Sequence, residues 1–101
     1  AVVAAEQSSG LIDCISDDEI LDAQRMLART EGIFVEPASA AGIAGIVKSY
    51  SSGEIAEDSR VVVTVTGHGL KDPEIAIENS KASPMLIEPE INSVLEAIGI
   101  G

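Results

Sequence analysis

Six consecutive residues, Val61-Val62-Val63-Thr64-Val65-Thr66, constrain this 101-residue chain more than any other stretch. Apolar residues fill most of the run instead of alternating with polar ones, the pattern of a strand buried on both faces, as in a parallel sheet. A central strand of that kind needs hydrogen-bonded neighbours on both edges. Only two other pieces of the chain read as extended, residues 11–15 and 33–35, and both are short. The expected fold class is therefore α/β, with helices packed on a partial, mostly parallel sheet that residues outside this chain complete. Residues 1–101 would form a single part of a larger catalytic domain.

The helices are signalled locally. Residues 1–7 read as the end of a helix stopped by Ser8-Ser9-Gly10. Ser16 followed three residues later by Glu19 makes a capping box, with Ile15 and Ile20 as its hydrophobic staple. Asp17 and Asp18 sit at the positive end of that helix, and Arg25 and Arg29 towards the negative end. Ile20, Ala23 and Leu27 line one face at helical spacing, and Gly32 is the expected stop. Glu36-Pro37 opens a second helix, with proline at its first position, running to about Tyr50. Its first turns are Ala, Ser and Gly on every face, which implies a buried helix closely approached by its neighbours. Gly42 and Gly45 each cost about 1 kcal/mol of helix propensity against Ala, a cost that close backbone packing would offset. A weak helix or loop follows Lys71-Asp72-Pro73, and Glu88-Pro89 starts a last helix that Gly99 ends.

Composition excludes several function classes. The net charge of −11 repels nucleic-acid phosphates and anionic membrane surfaces alike. No apolar run approaches membrane-spanning length. The single cysteine, Cys14, cannot form an internal disulfide, so a reducing cytoplasm is the natural setting, with Cys14 expected as a small buried hydrophobe. The chain begins at Ala1 without a methionine, as a truncated or a methionine-processed chain would. Its 46% hydrophobic content suits a globular protein, yet only 2% is aromatic, so burial must come from small aliphatic side chains on a close-packed framework.

In open α/β sheets, ligands bind outside the carboxyl ends of the strands. Thr66-Gly67-His68-Gly69 stands at such an end. Its glycines permit tight backbone geometry and close approach of a ligand. Thr66 offers a neutral hydroxyl able to donate or accept a hydrogen bond. His68 is the only histidine, with no nearby cysteine, serine elbow or second histidine to build a triad or a metal site. It admits a catalytic reading and a satisfied-loop reading, and the second is favoured. Lys71 and Asp72 read as solvated charges. Glu36 admits a ligand contact, although its place at the start of its own helix favours a structural role. Asp17-Asp18-Glu19 belongs to one capping arrangement and not to a metal cluster. No catalytic residue and no metal ligand is assigned within the chain.

The stretch Val35-Glu36-Pro37-Ala38-Ser39-Ala40-Ala41, followed by Thr66-Gly67-His68-Gly69-Leu70-Lys71-Asp72-Pro73, closely resembles the C-terminal third of the threonine synthase family. Ser16-Asp17-Asp18-Glu19-Ile20 and Glu31-Gly32-Ile33-Phe34-Val35 also look like that family. The most specific part is the ending Gly-Leu-Lys-Asp-Pro, because related dehydratases and sulfhydrylases share the glycine turn and differ after it. Gly42 departs from the pattern, standing where relatives often carry serine.

The resemblance implies a pyridoxal-phosphate enzyme of fold type II, similar to the tryptophan synthase β subunit. Such an enzyme converts O-phospho-L-homoserine and water into L-threonine and phosphate, as a cytoplasmic homodimer. It further implies that Thr66 sets its hydroxyl against the pyridine nitrogen of pyridoxal 5'-phosphate, and that Gly67 lets the backbone pass close to the ring. The family's Schiff-base lysine, the asparagine beside the cofactor's phenolic oxygen and the glycine-rich phosphate loop lie upstream of this segment. Lys48, Lys71 and Lys81 sit in no comparable lysine motif. The segment by itself is therefore expected to be inactive. The alternatives are a portion of a threonine or serine dehydratase and a non-catalytic acidic binding or assembly module.

The isolated 101-residue chain is expected to fold poorly or to associate through open strand edges. A monodisperse monomer with a sharp cooperative unfolding transition would overturn that expectation.

Overall fold

Ser16 begins the most firmly specified element of the computed structural model, which describes residues 1–80 and 84–100. The Ser16 hydroxyl accepts from the Glu19 amide while the Glu19 carboxylate accepts from the Ser16 amide, at 3.3 and 2.8 Å. This box opens α2 (Asp17–Glu31), which Gly32 closes in the left-handed conformation with φ of 69°. Glu36 and Pro37 then start α3 (Pro37–Ser51). The outer elements are shorter: α1 (Val2–Ser8), α4 (Pro73–Asn79) and α5 (Ile91–Ala97), with a single 3-10 turn at Gly69–Lys71.

The core forms where α2 meets α3. Ala23, Ala40 and Ala44 are buried with Val35, and Ile15, Ile20, Leu27 and Ile43 pack around them. Alanine at the contact leaves no side chain to hold the helices apart, which is how a chain nearly devoid of aromatics packs closely. Gly42 serves the same end, since a Cβ there would lie 3.1 Å from Val63 Cγ1. The close packing expected at Gly45 is absent, because nothing described lies within 4 Å of where its Cβ would stand.

The helices-on-sheet arrangement is not what the structure shows. All named elements among the described residues are helical, and the sole β contact is an isolated antiparallel bridge between Val35 and His68. Residues 61–66 carry no regular hydrogen-bonded structure, and Val62 is 90% exposed. The β-branched side chains of this run restrict its backbone, but a strand exists only where a second strand supplies N–H and C=O partners. Here the run has the α3 face alone, which half-buries Val63.

Residues 11–15 likewise form no strand. They are tied down by Lys48 of α3, whose Nζ pairs with Asp13 Oδ2 at 2.7 Å and donates to the Cys14 carbonyl at 2.8 Å. Cys14 is exposed, contrary to the expected burial, on a segment whose backbone Lys48 holds.

Little apolar surface is covered. The radius of gyration is 18.5 Å and the extents are 62 × 28 × 19 Å, whereas a compact domain of this size has a radius near ~13 Å. Val61, Leu70, Ile77, Leu86 and Ile91 are among the large apolar residues left exposed. Lys81 lies outside the described residues.

The capping box makes α2 sensitive to acid. Its backbone hydrogen bond from Ser16 holds the Glu19 carboxyl below its ordinary value. A carboxyl so shifted stabilises the fold above its unfolded pKa, about 4.3, and loses that contribution as pH falls through the lower folded value. Protection of the first-turn amides of α2 against exchange, relative to the intrinsic rate at each pH, should therefore fall below about pH 4. Glu19→Gln, which keeps the reciprocal bond without a titrating group, should flatten this response, and Ser16→Ala should cost about 1 kcal/mol at neutral pH.

Candidate functional site

The turn Thr66-Gly67-His68-Gly69 is fixed from two sides. On one side it runs against the segment that links α2 to α3. The Glu36 amide donates to the Gly67 carbonyl at 2.9 Å, and the Gly69 amide donates to the Phe34 carbonyl at 3.1 Å. These two bonds bracket the Val35–His68 bridge. Gln24 anchors the linking segment in turn, its buried Nε2 donating to the Val35 carbonyl at 2.7 Å.

On the other side stands Ser39, in the first turn of α3 and only 6% exposed. Its Oγ accepts from the Thr66 amide at 2.8 Å and from the Gly67 amide at 3.0 Å. The same oxygen lies 3.0 Å from Thr66 Oγ1. One hydroxyl thus satisfies two backbone donors that have no ladder to join, and unpaired they would each cost about 1–3 kcal/mol if buried.

Both glycines leave room for a neighbouring side chain, flexible at Gly67 and a ring at Gly69. A Cβ at Gly67 would fall inside the Glu36 side chain, and one at Gly69 inside the Phe34 ring. Phe34 also meets His68 edge to face, with ring centroids 5.9 Å apart. His68 Nδ1 accepts from the Leu70 amide at 3.1 Å and so caps the 3-10 turn, the satisfied-loop role of the two considered. That bond requires Nδ1 to be unprotonated, which puts the proton of the neutral ring on Nε2.

Of the residues singled out in the sequence, Thr66, Gly67, His68 and Glu36 come together here. Glu36 occupies the N-cap of α3, yet its side chain makes no capping bond and lies against Gly67. Lys71 is exposed, and Asp72 precedes α4 without a side-chain cap. Lys48 is committed elsewhere: its bond to Asp13 holds the ammonium above its ordinary pKa. Among the described residues, no group of three or more His, Cys, Asp or Glu side chains could hold a metal ion. None of their helices is long and apolar enough to cross a membrane.

Sequence reasoning missed Ser39 and Gln24 as parts of the site. Ser39 was visible as the lone hydroxyl in Pro37-Ala38-Ser39-Ala40-Ala41, three residues after the N-cap, on a turn otherwise made of small apolar side chains. Gln24 was visible as an amide beside Ala23 on the buried face of α2.

The chain is similar to several curated proteins. The chain is 48% identical over 98 residues to the threonine synthase of Bacillus sp. (strain ULM1), a match covering 97% of the chain and 28% of that protein. It is 48% identical over 101 residues to the threonine synthase of Mycobacterium bovis, covering 99% of the chain and 28% of that protein. A threonine synthase of Methanocaldococcus jannaschii is 50% identical over 92 residues, covering 91% of the chain and 22% of that protein. The chain thus spans between about a fifth and a third of the length of these curated relatives. A family model described as pyridoxal-phosphate dependent enzyme matches residues 2–67, from α1 to the second residue of the turn, and this chain belongs to that family.

Proposed function

We propose that the chain is a C-terminal portion of a threonine synthase and supplies one wall of its cofactor site. In that reading the complete enzyme converts O-phospho-L-homoserine and water into L-threonine and phosphate. The observation that carries it is Thr66: an exposed residue whose hydroxyl is backed by a buried serine, in a chain almost half identical to threonine synthases over nearly its whole length.

The residues present suit pyridoxal phosphate. Thr66 gives a neutral hydroxyl to a ring nitrogen, and unlike a carboxylate it does not hold that nitrogen protonated. The Gly67 amide is taken by Ser39 and its carbonyl by the Glu36 amide, and the residue is buried under the Glu36 side chain, so a flat ring meets its backbone only once that side chain swings aside. Bound there, pyridoxal phosphate would act as the electron sink for carbanions at the substrate, at a strength set by the group facing its ring nitrogen. The lysine and the phosphate-binding loop come from the remainder of the enzyme, which also covers the apolar side chains left exposed here.

A homodimer in a reducing cytoplasm completes the reading, in keeping with the single cysteine and the net charge of −11. Neither the dehydratase nor the binding-module alternative draws support from these relatives.

Thr66→Ala in the complete enzyme tests the reading. Losing one oriented hydrogen bond of about 1–1.5 kcal/mol should lower turnover of O-phospho-L-homoserine roughly tenfold and shift the cofactor absorption band, with the fold intact. Unchanged turnover with an unchanged spectrum refutes the assignment of Thr66. Turnover of threonine in place of phosphohomoserine by the unaltered enzyme refutes the substrate.

A further inference from the structure

We infer that the Glu36 side chain is a movable cover over Gly67, an internal competitor that a flat ligand must displace to reach the turn. The inference rests on the cofactor-wall reading for the identity of that ligand, while the cover itself is read from this chain alone. Gly67 has no side chain, yet it is buried, and the space in front of its Cα is filled by the Cγ, Cδ and Oε1 atoms of Glu36. The space at Gly69 is filled in the same way by the Phe34 ring. The two covers differ in what holds them.

Phe34 is braced by a second ring, that of His68, with centroids 5.9 Å apart and planes at 84°. Glu36 is long and unbranched, and its carboxylate has no hydrogen bond or ion pair among the described residues. Its backbone, by contrast, is locked: the amide donates to the Gly67 carbonyl at 2.9 Å and the carbonyl accepts from the Ser39 amide at 3.0 Å. Movement is therefore confined to the side chain, and the turn beneath it need not shift. Turned outward, the carboxylate would lie beside the first turn of α3, whose positive end favours an anion. A cover of this kind costs affinity. Rotamer changes near the surface are over in nanoseconds, so opening does not limit ligand entry. Only the open fraction binds, however, and the apparent Kd rises by the inverse of that fraction. Occupancy of the wall and the position of Glu36 are thereby linked.

The test uses the complete enzyme stripped of cofactor, with two readouts apart from turnover. One is the apparent Kd for pyridoxal phosphate, titrated by absorption. The other is a pair of crystal structures, empty and loaded. Glu36 should lie on Gly67 in the empty form and be turned away from it in the loaded one. Glu36→Ala removes the cover and should lower the Kd roughly tenfold, the gain for a cover open about a tenth of the time. Glu36→Gln keeps the length without the charge and should retain the wild-type Kd. Gly67→Ala sets a methyl group where the ring would lie, so it should raise the Kd, and adding Glu36→Ala should not restore it.

A wild-type Kd in Glu36→Ala, or a loaded form with Glu36 still over Gly67, overturns the cover. If Gly67→Ala is weakened at the same time, the cofactor-wall reading stands. A Gly67→Ala enzyme with the wild-type Kd instead overturns the cofactor-wall reading at that glycine, and the cover with it. A gain in Glu36→Gln equal to that in Glu36→Ala shows charge repulsion without a cover, which also decides against the inference. Should Glu36→Ala fold poorly, Glu36→Ser shortens the side chain and gives α3 a capping hydroxyl, and an unmoved Kd there rules the cover out.

Discussion

Backbone N–H and C=O groups that lie outside helices must still find partners, and this requirement governs the middle of the molecule. Among the described residues, 33–36 and 66–69 have only each other for a β contact, which amounts to two hydrogen bonds around a single bridge. Two helix side chains complete it. Gln24 reaches from α2 to the Val35 carbonyl, and Ser39 reaches from α3 to the Thr66 and Gly67 amides. The turn is therefore held by the helix pair, and the alanine-lined contact between α2 and α3 sets where it stands.

The same accounting explains what could be read from the sequence. The Ser16–Glu19 box, the Gly32 stop and the proline start of α3 depend on residues a few positions apart, and all three appear as expected. A strand at residues 61–66 would need a partner strand, and none pairs with them among the described residues. The turn itself was legible as two glycines around a histidine. Its supports were not, because Ser39 and Thr66 are 27 positions apart and nothing in either neighbourhood names the other.

Burial tells a consistent story. Among the described residues, the buried apolar ones are three alanines and one valine, gathered around the α2–α3 contact, while many large aliphatic side chains remain exposed. An exposed apolar surface of that extent is ordinarily a surface made to be covered. The chain matches about a quarter of the length of its relatives.

Gln24 gives α2 a duty beyond packing. It follows the Ser16 cap by eight residues, about 12 Å of axial rise, and at that spacing its amide meets the Val35 carbonyl. A helix advances about 100° per residue, so a single insertion between the cap and Gln24 would swing the amide away and carry Ala23 off the α3 face with it. Length in this part of α2 is consequently fixed like a ruler's. A change in the number of residues between Ser16 and Gln24 would therefore displace the turn along with the helix face.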